Sequence, residues 1–257
     1  MLKELKNLLS FLTIIPFRMD ENCLSDSARF MFLFPLVGVF IGLLAGAFGW
    51  MLLYFLPSLV VGALILGIFL LLTGLHHTDG LLDFGDGVMA QGSAERKIEI
   101  MHDQLTGAGG LTLGIITYLV TALCIAELSL PITVWGIPVI VPSMIIAEAS
   151  AKLSMVVGAW AGKAVHQGMN SSFLAAMHGK KGNARLVAAS AISFGVAVPL
   201  LWLAGAIAVL VAILAGLVMV GISHRHFKGV TGDVLGATNE LSRMVCLIAL
   251  LAVIRWV

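Results

Sequence analysis

The stretch "LVVGALILGIFLLLTGLHHTDGLLDFGDG", Leu59 to Gly87, joins two kinds of sequence that seldom stand side by side. Its first half is an apolar run, and a bilayer core of about 30 Å is crossed by a helix of roughly 20 such residues. Its second half contains three aspartates and two histidines within eleven residues. We therefore expect a membrane span that ends at a polar site.

Composition extends this expectation to the whole chain. Of its 257 residues, 60 % are hydrophobic and 11 % are charged, whereas a soluble globular domain is about 45–50 % apolar. The mean hydropathy is +1.05. We predict an all-α, polytopic integral membrane helical bundle with six or seven transmembrane helices. The predicted spans are Phe30–Phe55, Leu59–Leu75, Leu111–Leu130, Val134–Val157, Leu186–Leu203, Ala206–Ile222 and Met244–Val257.

The rest of the chain adds no second domain, so residues 1–257 are predicted to form one membrane-embedded catalytic domain. The N-terminal segment, residues 1–29, begins with a lysine-bearing, amphipathic stretch without a signal-peptide cleavage site, which predicts an interfacial helix. The three cysteines are far apart and form no CxxC pair, which argues against a disulfide framework and a structural zinc site. A net charge of +1 excludes a general affinity for nucleic acid.

Charge placement predicts the orientation of the bundle. When the spans alternate from a cytoplasmic N-terminus, thirteen of the fifteen Lys and Arg residues fall on one side, which the positive-inside rule makes cytoplasmic. Twelve of the fourteen acids and all seven histidines fall there too, although orientation requires only Lys and Arg. We therefore predict an active site that faces the cytoplasm from the cell membrane. It would be built from three loops, residues 75–110, 158–185 and 223–243.

The acidic residues of the first loop have the spacing of a metal site. If the helix continues beyond Leu75, Asp79, Asp83 and Asp86 lie at i, i+4 and i+7 on one face. Asp103 follows a short amphipathic stretch in "ERKIEIMHDQLTGAGG" that can return it to the other three. Clustered carboxylates repel unless a cation lies among them, and they suit Mg²⁺ or Mn²⁺. We predict these four aspartates as the catalytic and metal-binding residues; the alternative is a solvated, acid-rich helix end without a ligand.

Three further polar residues lie at or inside predicted spans. Carboxylate-rich Mg²⁺ sites rarely include imidazole, so we give His77 no metal role. A histidine at a span end more often hydrogen-bonds the backbone or contacts headgroups; for His77 we also predict a contact with the substrate. Glu148 and Lys152 are spaced i, i+4 within a span, where ionisable residues are costly and usually paired. They are predicted to form an intramembrane pair that supports the site from below.

The third loop, "SHRHFKGVTGDVLGATNELSR" from Ser223 to Arg243, has the complementary chemistry. Basic side chains and the N–H groups of a Gly-rich turn suit phosphate oxygens. Metal on one wall and phosphate donors on the other suit phosphoryl transfer, which depends on positioning and charge neutralisation. The alternative is a juxtamembrane segment that contacts anionic lipid. The predicted substrate-binding residues are His77, Arg225, Lys228, Asp233, Asn239 and Glu240.

Several motifs, in this order, resemble the cobalamin (5′-phosphate) synthases over nearly the whole chain. The motifs are "LLSFLTIIPF", "FPLVG", "TGLHHTDGLLDFGDG", "ERKIEIMHDQLTGAGG" and "GVTGDVLGATNEL". The resemblance implies Mg²⁺-dependent attack of a ribose hydroxyl of α-ribazole, or of its 5′-phosphate, on adenosylcobinamide-GDP, with release of GMP. It implies that Asp79, Asp83, Asp86 and Asp103 form the metal and phosphate site, with Asp233 and Glu240 opposite. The expected partners are these small molecules and the lipid bilayer, with no nucleic acid; a homo-oligomer is left open.

Two other classes of protein share part of this sequence pattern. A CDP-alcohol phosphatidyltransferase also has a membrane-bound, Asp-rich Mg²⁺ site, but its DGxxAR signature is absent, since Gly80 is followed by Leu81-Leu82-Asp83-Phe84. A transporter places ionisable groups near the bilayer midplane, and here only Glu148 and Lys152 approach that depth. Both classes are disfavoured.

Overall fold

A computed structural model of the chain describes residues 2–15, 23–129, 132–165 and 169–255. Within these ranges the chain is helical except for turns and a short hairpin in which Thr133–Val134 pairs antiparallel with Ile137–Pro138, so the predicted all-α class is confirmed. Parts of the predicted N-terminal segment, second loop and third and last spans lie outside the described residues. The helices are α1 Leu2–Leu12, α2 Cys23–Arg29, a 3₁₀ turn Met31–Leu33, α3 Phe34–Leu52, α4 Ser58–Leu72, α5 His76–Met89, α6 Ala94–Met101, α7 Ala108–Leu128, α8 Ile140–Ala161, α9 Met169–Met177, α10 Gly179–Phe227 and α11 Gly232–Ile254.

The described helices include five that are long and apolar enough to cross a membrane, or six if α4 and α5 are counted as one broken span. This agrees with a polytopic bundle. α4 and α5 meet at an angle of 96°. The bend lies at Gly74 and Leu75, whose φ angles of 63° and 62° are in the left-handed region. The second predicted span therefore does not run straight into the acidic segment.

Helix α8 is the central helix of the bundle, and its residues from Ile140 to Ala159 are all buried. Helix α3 approaches it closely along three glycines at four-residue spacing, Gly38, Gly42 and Gly46. A Cβ at Gly38 or Gly42 would come within 3.0 Å of the α8 backbone. Close backbone approach through small residues is typical of helix packing in lipid, and the spacing of these glycines predicts it.

Helix α10 is a hairpin of two antiparallel segments. Its backbone leaves the helical region at Leu201 and Trp202. Both ends of α10 lie at the same end of α8. Near the start of α10, Asn183 accepts a hydrogen bond from Trp160 at 2.8 Å, and near its end His224 accepts one from the N–H of Lys163 at 3.2 Å. The two segments correspond to the predicted spans Leu186–Leu203 and Ala206–Ile222.

Helix α11 differs most from the sequence-based expectation. It begins at Gly232, within the stretch predicted as a loop and twelve residues before the span expected at Met244. Thr231 caps it, since its hydroxyl accepts a hydrogen bond from Val234 N–H at 3.3 Å. The polar residues that indicated a loop lie inside the bundle, where they bind one another.

Candidate active site

Helix α5 presents its three aspartates in the predicted order along a helix. Asp79 is exposed, while Asp83 and Asp86 are half-buried. The carboxylates of Asp79 and Asp86 repel that of Asp83 electrostatically, and so does Asp233 of α11. The structure therefore brings together acidic residues from two segments that are 150 residues apart in the sequence.

The contact between α5 and α11 depends on glycines. A Cβ at Gly80 would lie 2.8 Å from the carbonyl oxygen of Asp233. A Cβ at Gly236 would lie 3.3 Å from Cα of His77. Because glycine lets the two backbones approach, Asp79, Asp83 and Asp233 share one surface. We call these three residues the acidic mouth.

Asp86 has a different set of partners. Its carboxylate accepts hydrogen bonds from the N–H groups of Gly107 and Gly110, at 2.7 and 2.8 Å. These groups belong to the N-terminus of α7, where unpaired N–H groups and the helix dipole favour an anion. Asp86 thus caps α7. Sequence reasoning missed this role because the cap comes from another helix.

Asp103 lies just beyond α6 and is exposed. Its carboxylate accepts a hydrogen bond from Leu105 N–H at 3.1 Å, within its own loop. Helix α6 is amphipathic as predicted, with Ile98 and Met101 buried. It brings His102, the neighbour of Asp103, into favourable electrostatic interaction with Asp233. The end of α6 therefore lies near the acidic mouth, where His102 interacts with Asp233. Asp103 itself is hydrogen-bonded within its own loop.

Arg225 and Lys228 lie at the end of α10 and are exposed. With Lys97 and His226 they line a cavity of about 320 Å³ beside the start of α6, which we call the basic opening. Lys97 Nζ and His226 Nδ1 are 2.9 Å apart. Phe227, the next residue, packs edge-on against Phe84, the neighbour of Asp83, at 5.9 Å between ring centroids. This contact connects the basic opening to the helix of the acidic mouth.

Asn239 and Glu240 were predicted to bind substrate from the third loop, but both are wholly buried in α11. Lys152 donates a hydrogen bond to Asn239 at 2.7 Å, and Asn239 donates one to Glu240 at 2.9 Å. Arg243 forms ion pairs with Glu240 and with Glu148 of α8. We call these five residues the buried charge network.

The network includes the predicted pair of Glu148 and Lys152, which are 3.8 Å apart and fully buried. Arg243 was not predicted. Its guanidinium also lies over the ring of Phe69 at 4.9 Å. The i, i+3 spacing of Glu240 and Arg243 is a signal in the sequence, but it indicates an ion pair only if the segment is known to be helical.

His77 lies between the acidic mouth and the buried charge network. It is 7 % exposed, it interacts electrostatically with Lys152 and Arg243, and its Nδ1 atom has no hydrogen-bond partner. The exposed His76 and the buried His77 both line a cavity of about 550 Å³ beside the acidic mouth. The structure thus places His77 at a cavity wall, with one buried nitrogen that has no hydrogen-bond partner.

The acidic mouth fits a divalent cation by its donor type. Among the described residues, no group of three or more His, Cys, Asp or Glu side chains is arranged to hold a metal ion. Mg²⁺, however, is usually bound by one or two carboxylates, several waters and substrate phosphates rather than by a complete protein cage. Asp79 and Asp83, one turn apart, can supply two such carboxylates, with Asp233 beside them.

Comparisons with known proteins agree with the motifs. The family model for cobalamin-5-phosphate synthase matches residues 4–251. The adenosylcobinamide-GDP ribazoletransferase of Methanococcoides burtonii is 32 % identical over 97 % of this chain and 92 % of its own length. The enzyme of the same name from Methanocella arvoryzae is 35 % identical over 96 % and 94 %, and that from Thermococcus kodakarensis is 30 % identical over 98 % and 99 %. No solved structure matches the chain.

Proposed function

Because the chain belongs to the cobalamin-5-phosphate synthase family, we propose that it joins α-ribazole, or its 5′-phosphate, to adenosylcobinamide-GDP with release of GMP. The product is adenosylcobalamin or its 5′-phosphate, so the reaction completes the nucleotide loop of the cofactor. The observation that supports this most directly is the acidic mouth, in which carboxylates from α5 and α11 meet beside a cavity and a basic opening.

The reaction is a phosphoryl transfer. A ribose hydroxyl oxygen forms a bond to the phosphorus next to cobinamide, and the bond from that phosphorus to the bridging oxygen breaks, so GMP leaves. The hydroxyl proton passes to a carboxylate of the acidic mouth. Asp79 and Asp83, with Asp233, would hold Mg²⁺, which would supply neutralisation of the charge on the phosphate oxygens.

The basic opening binds the phosphate of the leaving nucleotide in this proposal. Lys97, Arg225 and Lys228 lie around one cavity, and charge-assisted hydrogen bonds to phosphate are among the stronger ones in proteins. An exposed cation also pairs with lipid headgroups. The contact between Phe227 and Phe84 favours the substrate reading, because it ties this cavity to the helix of the acidic mouth.

The proposed location is the cell membrane, with the acidic mouth facing the cytoplasm. The positive-inside distribution of Lys and Arg supports this orientation. Charged substrates such as a GDP derivative then reach the site without crossing the bilayer. The phosphatidyltransferase and transporter alternatives are not favoured, since the relatives above are named ribazoletransferases.

The test is an assay of purified membranes with adenosylcobinamide-GDP and α-ribazole, with and without EDTA. We expect GMP release that requires both substrates, stops with EDTA and resumes when Mg²⁺ is added in excess. Release of CMP from CDP-diacylglycerol and an alcohol, with no reaction of the cobinamide substrate, would contradict the proposal. Sealed inside-out and right-side-out vesicles test the orientation, because only the former should react with added substrates.

A further inference from the structure

The cavity of about 550 Å³ lies where α1, the start of α3, α5, α8, α9 and α11 meet. Its volume falls within the roughly 300–1,000 Å³ of small-molecule sites. Its walls are mainly apolar, and three of the lining residues are phenylalanines, Phe11, Phe34 and Phe173. We call it the aromatic cavity.

The three phenylalanine rings form one cluster. Phe11 and Phe173 are stacked, with centroids 5.3 Å apart and planes 25° apart. Phe34 lies 6.2 Å from Phe173 and 6.4 Å from Phe11. Offset stacking on such rings stabilises a further flat aromatic group beyond the burial of its area. This apolar, aromatic wall suits a planar ring system.

Two residues that line the aromatic cavity have buried polar atoms without a partner. These atoms are Nδ1 of His77 and Oδ1 of Asn170. The amide nitrogen of Asn170 is occupied, since it donates to the carbonyl of Val230 at 2.8 Å. A buried polar atom without a hydrogen bond is energetically unfavourable. Oδ1 of Asn170 requires a hydrogen-bond donor, such as a ligand hydroxyl group, and Nδ1 of His77 can pair with a ligand donor or acceptor, depending on its tautomer.

The lining of the cavity disfavours the diphosphate and the guanine of the GDP substrate. Among the described residues, its lining contains no Lys or Arg side chain, so it does not suit a diphosphate. Guanine carries several donors and acceptors, and burying them against three phenylalanines leaves most of them unpaired. An apolar heteroaromatic base has only one ring nitrogen that accepts a hydrogen bond, so it brings fewer polar atoms that need a partner in this cavity than guanine does.

The aromatic cavity lies beside the acidic mouth. His76 and His77 line it from α5 just before Asp79, and Gly232 lines it next to Asp233. A nucleoside whose base lies among the phenylalanines can thus direct its sugar toward the carboxylates. We propose that the aromatic cavity binds the flat heteroaromatic base of the acceptor nucleoside. This inference rests on the proposed function, and it assigns the acceptor and the GDP donor to different walls of the site.

The test measures binding of α-ribazole to the purified full-length protein by calorimetry, together with KM for each substrate. We expect Phe173→Ala to raise Kd and KM for α-ribazole about ten-fold, the loss of one stacking wall, with KM for adenosylcobinamide-GDP unchanged. Phe32→Ala is the matched control, because Phe32 pairs with Phe30 at 6.2 Å outside the cavity lining. It should leave both KM values unchanged.

A wild-type measurement keeps the proposal testable if Phe173→Ala does not fold. Free benzimidazole, a flat heteroaromatic probe, should compete with α-ribazole and not with adenosylcobinamide-GDP. Unchanged α-ribazole binding in Phe173→Ala, or competition of benzimidazole with the GDP substrate alone, would overturn the proposal. If no GMP is released at all, the proposed function fails; if turnover is normal and only these shifts are absent, the cavity assignment alone fails.

Discussion

The acidic mouth and the buried charge network are close neighbours with opposite electrostatics. The mouth holds three negatively charged carboxylates at a partly exposed surface. The network holds two carboxylates and two cations, all of them fully buried. Ionisable groups in a membrane protein are costly unless paired. The charges of the network pair with one another, whereas the carboxylates of the mouth have no such partners among the described residues. Of these two groups, only the mouth is therefore expected to bind a cation and a phosphate ligand.

The largest expected effect comes from unbalancing the network. Arg243→Met leaves Glu148 and Glu240 with Lys152 as the one remaining cation of the network. Removing one partner of a buried pair costs about 3–5 kcal/mol, so we expect that loss in the free energy of unfolding, measured by chemical unfolding in detergent. Adding Glu240→Gln should recover part of it.

The control for this variant is an exposed ion pair in the same protein. Arg255 and Glu127 bind each other with side chains that are 62 % and 47 % exposed. Arg255→Ala should lower the free energy of unfolding by no more than about 1 kcal/mol. Equal stabilities for Arg243→Met and Arg255→Ala would show that the network does not stabilise the fold.

The next effect separates catalysis from stability. Asp83→Asn removes a charge that three other carboxylates repel. We expect kcat to fall by at least roughly 10²-fold, as for loss of a preorganised electrostatic group, while the unfolding temperature is unchanged or higher. A stable variant with near-normal kcat would remove Asp83 from the site, and a fall in both quantities would give it a structural role.

Asp86 gives the opposite pattern, because it caps α7. Asp86→Ala should lower the free energy of unfolding by about 1 kcal/mol, as for the loss of a helix cap. The Mg²⁺ concentration that gives half-maximal GMP release should not change. A raised Mg²⁺ requirement, similar to that of an Asp79→Asn variant, would show that Asp86 is a metal ligand after all.

The smallest effect is expected at His77. Its Nδ1 is buried without a partner beside the aromatic cavity, and a hydrogen bond contributes about 0.5–1.5 kcal/mol. His77→Ala should therefore raise KM for α-ribazole by about three- to ten-fold with a small change in kcat. A loss of kcat as large as that of Asp83→Asn would mean that His77 acts in the chemical step.

The sequence predicts best those features that depend on local pattern. Long apolar runs predict the spans, and the i, i+4 spacing correctly pairs Glu148 with Lys152. The start of α11 was not predictable, because its polar residues indicate a loop unless their partners are known. Buried Asn239 and Glu240 are stabilised by Lys152 and Arg243, and these contacts exist only after the helices pack.

The candidate site shows the same limit. The three aspartates of α5 were identified from their spacing, but spacing cannot show that Asp86 accepts hydrogen bonds from the N-terminus of α7. Nor can it show that Asp233 meets α5 through Gly80. The aromatic cavity combines side chains from helices far apart in the sequence, and no motif marks it.

The most direct test of the account is a titration of Mn²⁺, followed by electron paramagnetic resonance, on purified protein with adenosylcobinamide-GDP. The wild type should bind Mn²⁺ saturably, and so should Glu99→Gln, which alters only an exposed pair with Arg96. The double variant Asp79→Asn, Asp83→Asn should lose this binding while it remains folded. Mn²⁺ binding of equal affinity in the double variant and the wild type would contradict the central claim that the acidic mouth holds the metal.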